Sequence, residues 1–80
     1  MAVRREFFSH FFLRGGAMEN YLRRIRFERD LRQIQLAVIT GINQSRLSTI
    51  ERGYVRPRRD EIETLAKTLG LQIRDIFPSE

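Results

Sequence analysis

Residues 33–53, QIQLAVITGINQSRLSTIERG, constrain the fold more than any other stretch, because their apolar positions fit two short helices joined by a tight turn. Leu36, Ala37 and Ile39 supply an inward face for the first of these helices. Gly41 adopts left-handed backbone without a Cβ clash and so ends that helix, and Ile42 tucks in behind the turn. Asn43 is a favourable N-cap for the second helix, where Leu47 and Ile50 make an inward pair at helical spacing. The opposite face of that helix carries Gln44, Ser45, Ser48, Thr49 and Arg52, hydrogen-bonding side chains with no carboxylate among them.

A helix face of this kind suits the major groove of DNA, where base edges offer donors and acceptors. The charge distribution points the same way. Residues 44–59 hold Arg46, Arg52, Arg56, Arg58 and Arg59 against Glu51 alone and carry a net +4, whereas residues 60–80 carry −3, within a chain of net charge +5. One end of the chain therefore attracts a polyanion and the other repels it.

Eighty residues allow one domain. A chain of this size buries only about 60% of its unfolded surface, which leaves little room for a catalytic cavity. Without cysteine there is no disulfide framework, thiolate metal site or thiol nucleophile. The cysteine-free chain suits a reducing cytosol, so a cytoplasmic location is expected, and no apolar run approaches the roughly 20 residues that span a bilayer, so no membrane association is expected. The single histidine, His10, has neither a second metal ligand nor a triad partner. Glu61 and Glu63 point to different sides of one helix and form no acid/base pair. No glycine-rich phosphate loop is present. The expectation is a protein that is not an enzyme and takes no cofactor or metal.

Along the chain, residues 19–29 read as a first helix with Leu22 and Ile25 inward, broken at Asp30, with Leu31 anchoring the link that follows. Residues 33–40 and 44–52 are the second and third helices, and Gly53 ends the third. Tyr54–Arg59 is a loop containing Pro57. Residues 60–69 form a fourth helix with Ile62, Leu65, Ala66 and Leu69 inward. Its acidic first turn suits the helix dipole whether the cap is Asp60 or Arg58. Gly70 stops it, and residues 72–77 make a short last helix whose Ile73, Ile76 and Phe77 close the core. The reading is an all-α, five-helix domain.

With those residues in place, the chain resembles the Cro/phage-repressor type of helix-turn-helix regulator, also called the xenobiotic-response-element family. Arg26, Gln33, LAVITG, SRLSTIERG, Pro57 and ETLAKTLGL fall in register with that pattern, over about residues 18–77. The resemblance implies a compact five-helix domain and sequence-specific binding of double-stranded DNA as a transcriptional regulator. It implies base reading at Gln44, Ser45 and Thr49, and backbone contacts from Gln33, Arg46, Ser48, Arg52, Arg56 and Arg58. It also implies a bracing ion pair between Arg26 and Glu51. A palindromic site implies a homodimer. The alternative is an antitoxin that binds a toxin and autoregulates its operon.

Three features depart from that pattern. Arg32 stands where a capping threonine or serine is usual, and an arginine cannot accept a bond from a helix amide, so the second helix is expected to fray by about 1 kcal/mol of lost capping. Ile34 and Val38 replace charged side chains, either as isolated surface aliphatics or as a docking patch for a partner. Residues 1–17 form an extension holding four of the six phenylalanines, Phe7, Phe8, Phe11 and Phe12. It is either an arm packing on the domain or on a second subunit, or an untranslated stretch with the true start at Met18; the second is favoured. The DNA-binding domain is then residues 18–78.

Overall fold

The computed structural model describes residues 19–79; the expectations for His10, for the four extension phenylalanines and for Met18 lie outside them. Within those residues the regular structure is five helices: α1 Leu22–Glu28, α2 Gln33–Thr40, α3 Gln44–Glu51, α4 Arg59–Leu69 and α5 Ile73–Ile76. No strand occurs among the described residues. α2 packs on α3 and α4, and α4 packs on α5.

The core is built from the inward positions of every helix. Leu22, Leu36, Leu47, Ile50, Leu65, Ile76 and Phe77 are fully buried, with Ala37, Ile42, Ile62, Ala66 and Leu69 beside them. Ile25, Leu31, Val55, Leu71 and Ile73 pack at the margin. α4 is amphipathic along its length and presents Ile62, Leu65, Ala66 and Leu69 to this core from one face.

Ile39 does not join it, being 58% exposed. Successive residues turn by about 100° around a helix, so an inward face centred on Leu36 and Ala37 takes Thr40, not Ile39, as its next member. Thr40 fits there because its hydroxyl donates to the Leu36 carbonyl at 2.8 Å. Ile39 instead joins Ile34 and Val38 on the outer surface.

The helix ends follow side-chain chemistry. α1 begins later than residue 19 because Asn20 Oδ1 accepts the Leu22 N–H at 3.0 Å. Two residues past its end the chain turns at Asp30, whose φ of 59° is tolerated by a short polar side chain. Gly41 closes α2 with φ of 76°. Arg32, Arg58 and Gln72 precede α2, α4 and α5 without a capping bond from their own side chains. In each case the residue three further on reaches back to the cap amide. Gln35 takes the Arg32 N–H at 2.7 Å, Glu61 the Arg58 N–H at 2.8 Å and Asp75 the Gln72 N–H at 2.9 Å. Half of a capping box thus offsets part of the fraying expected at Arg32. At the far end of α4, the Arg29 guanidinium donates to the Leu69 carbonyl and places a cation at the negative end of the helix dipole.

Candidate nucleic-acid interface

α3 is held from below and left open above. Leu47 and Ile50 sink fully into the core, and Asn43 Oδ1 fixes the first turn by accepting the Ser45 and Arg46 amides at 2.8 and 3.4 Å. Asn20 secures the other end by donating its side-chain amide to the Ile50 carbonyl at 2.9 Å. Gln44, Ser45 and Arg52 are exposed on the outer surface, with Ser48 and Thr49 half-buried beside them. The Thr49 hydroxyl donates back to the Arg46 carbonyl at 2.6 Å, which leaves its oxygen as an acceptor.

A chain of polar contacts, buried where it starts on α1, runs to the exposed Gln44 at the start of α3. Arg26 Nε meets Glu51 Oε2 at 2.7 Å, and Nη2 meets Oε1 at 3.2 Å. The two side chains are only 8% and 2% exposed. Arg26 Nη1 also donates to the Leu31 carbonyl at 2.8 Å, which ties the α1–α2 link to the same guanidinium. Gln33 Nε2 then donates to Glu51 Oε1 at 3.1 Å, and Gln33 Oε1 accepts from Gln44 Nε2 at 3.4 Å. Gln44 retains its carbonyl oxygen and a second N–H. Gln33, Ser48, Glu51 and Arg52 share one shallow cleft with Arg23 and Arg26, so the groups near the end of α3 form a continuous surface.

The basic groups differ in how firmly they are held. Arg52 lies over the Tyr54 ring with its guanidinium carbon 5.9 Å from the centroid, a weak contact at an exposed site. Arg58 pairs with Asp60 at 3.3 Å, and Arg59 with Glu63 at 3.1 Å, both in exposed settings. Arg46 is different. Its Nε and Nη2 grip the two oxygens of Glu61 at 3.0 and 2.9 Å, while the Glu61 side chain is 5% exposed. The Arg46 pair holds the Glu61 carboxyl below the ordinary glutamate value of 4.5 against the opposing effect of burial, and the Arg58 amide adds to the shift. Glu61 in turn raises the Arg46 guanidinium further.

A carboxylate depressed in the folded state stabilises the fold fully above its unfolded pKa, and that contribution disappears as pH falls through the folded value. Acid melts are therefore expected to show Glu61's contribution intact well above the ordinary glutamate value of 4.5 and lost progressively as pH falls below it. The Glu61→Gln protein is expected to have a flatter midpoint-against-pH curve in that acid window. Curves of identical slope would show that Glu61 does not titrate with folding.

Sequence reasoning places Glu61 in the acidic first turn of α4 and rules out an acid/base pair with Glu63, and nothing local links it to Arg46. The bond from Asn20 to Ile50 and that from Arg29 to Leu69 likewise join residues far apart in the chain. Among the described residues no group of three or more histidine, cysteine or acidic side chains is placed to hold a metal ion, and no helix is long and apolar enough to cross a membrane.

This arrangement has relatives. A helix-turn-helix domain family matches residues 20–75. The immunity repressor protein of Bacillus phage phi105 is 37% identical over 59 residues, a match that covers 74% of this chain and 41% of the repressor. The chain thus spans about two fifths of the length of that curated relative. The crystal structure of the restriction-modification controller protein C.AhdI from Aeromonas hydrophila superposes with a TM-score of 0.64 at 31% identity, covering 68% of this chain and 82% of that one. A short turn between two packed helices, an open polar face on the second and the match across most of the domain place the chain in the helix-turn-helix family, in its Cro/phage-repressor type.

Proposed function

We propose that the protein is a sequence-specific regulator of transcription that lays α3 in the major groove of double-stranded DNA. The observation that carries this reading is the held state of Gln44. One of its N–H groups is engaged by Gln33, and the remaining N–H and carbonyl oxygen match N7 and N6 of adenine, a bidentate pairing worth about 1–3 kcal/mol of discrimination. Ser45 and Thr49 read neighbouring bases. Gln33, Ser48, Arg52, Arg56 and Arg58 contact the sugar-phosphate backbone, and Arg46 does so through the guanidinium edge that Glu61 leaves open. The two relatives, an immunity repressor and a restriction-modification controller protein, agree with a regulatory task.

The same reading makes the protein a cytoplasmic homodimer on a palindromic operator, because a single short helix buries too little groove surface to select a site. Selection of bound fragments from random duplex DNA is expected to return inverted repeats with half-sites about 10 base pairs apart, centre to centre. Recovery of unrelated sequences would remove the sequence-specific reading, and single half-sites would remove the dimer.

A second reading, an antitoxin that captures a toxin through its protein surface, is favoured by one observation. Ile34, Val38 and Ile39 are exposed together on α2 beside Leu31. A toxin-type gene adjacent to this one, and a complex with its product abolished by Val38→Asp, would support it; intact complex formation by that variant would not.

A further inference from the structure

Arg46 sits on the α3 surface that meets DNA in the reading above, yet it is clamped from behind by a carboxylate on another helix. Glu61 is 4% exposed as a residue and is fully occupied: two bonds to Arg46, one from the Arg58 amide and a 3.5 Å approach by the Arg58 guanidinium. The Arg46 side chain is 32% exposed, so part of the guanidinium still faces outward. A bidentate carboxylate fixes the plane of a guanidinium as well as its position. The outward edge of Arg46 is therefore aimed along a direction set by its bridge to Glu61 on α4, whereas an unrestrained arginine would follow any phosphate within reach.

That difference bears on sequence selection. Phosphate contacts by mobile arginines strengthen binding to every sequence and carry no information. A guanidinium fixed to the frame meets a phosphate only when α3 lies in its proper register, which the base contacts of Gln44, Ser45 and Thr49 define. We propose that Glu61 is a specificity-determining positioning residue, which makes the phosphate contact of Arg46 conditional on correct docking of α3. The inference rests on the DNA-reading role of α3.

Two variants test it on a selected duplex and on a scrambled duplex of equal length, with melting curves to correct for the folded fraction. Arg46→Gln is expected to weaken the selected duplex by roughly eightfold at 0.1 M salt, the contribution of one phosphate contact, and to leave the scrambled duplex unchanged. Glu61→Gln frees Arg46 and removes a negative charge. It is expected to tighten the scrambled duplex by a similar factor and to steepen its salt slope by about 0.9. The selected duplex does not gain in proportion, so the ratio of the two affinities falls. Equal weakening of both duplexes by Arg46→Gln would make Arg46 an ordinary clamp and overturn the proposal, as would parallel changes in both duplexes with Glu61→Gln. If Glu61→Gln does not fold, the Arg46→Gln comparison decides by itself. Wild-type protein that binds neither duplex would refute the DNA-reading role and this inference together, whereas normal wild-type selectivity with parallel variant effects refutes the inference alone.

Discussion

The Glu51→Ala protein is expected to melt at least about 15 °C below its parent, a loss of roughly 3–5 kcal/mol. Glu51 is the junction of three elements: it receives Arg26 from α1 through two bonds and Gln33 from α2 through a third. Removing it strands the Arg26 guanidinium, which is buried against α1 and the α1–α2 link. A buried ion pair often contributes little compared with an apolar pair of the same shape, but an uncompensated buried charge is strongly destabilising. A domain of about 60 residues has only some 3–9 kcal/mol of total stability, so this one change approaches the whole of it. Circular dichroism melts of parent and variant check the expectation. A shift of only a few degrees would mean that water reaches Arg26 and that the pair does not brace α3.

Binding to DNA is expected to weaken roughly 100-fold as salt rises from about 50 to about 200 mM, if a subunit neutralises about four phosphates. The candidates are Arg52, Arg56 and Arg58, with Arg46 in register. The exposed pairs Arg58–Asp60 and Arg59–Glu63 do not prevent this, since such pairs are worth at most about 1 kcal/mol and exchange a carboxylate for a phosphate with little loss. Fluorescence anisotropy across a salt series reads the slope directly. A flat response would remove the basic footprint from the account.

Local chemistry explains which parts of this molecule were legible before its structure. The α2–α3 pair was legible because its signals lie within a few residues of each other: Leu47 with Ile50, Asn43 at the cap and Gly41 at a turn that requires positive φ. Ile39 misled because an isoleucine at an ambiguous angle outranks a threonine by hydropathy, although Thr40 satisfies its hydroxyl on its own helix. The Arg26–Glu51 bridge was expected from resemblance alone; 25 residues separate its partners and no periodicity connects them. The grip of Glu61 on Arg46 was not legible, because the acidic first turn of α4 already had a sufficient local explanation in the helix dipole. Long-range polar pairs depend on how helices cross, and that geometry is settled by the apolar faces beneath them.

The central claim, that the exposed face of α3 reads base sequence while the arginines around it hold the backbone, is tested most directly by comparing two alanine variants on selected and scrambled duplexes. Gln44→Ala is expected to cost about 1–3 kcal/mol on the selected duplex, to leave the scrambled one nearly unchanged and to relax preference at one base position. Arg52→Ala is expected to weaken both duplexes alike and to make the salt slope shallower by about 0.9. Equal loss on both duplexes for Gln44→Ala, with no change in base preference, would contradict the account.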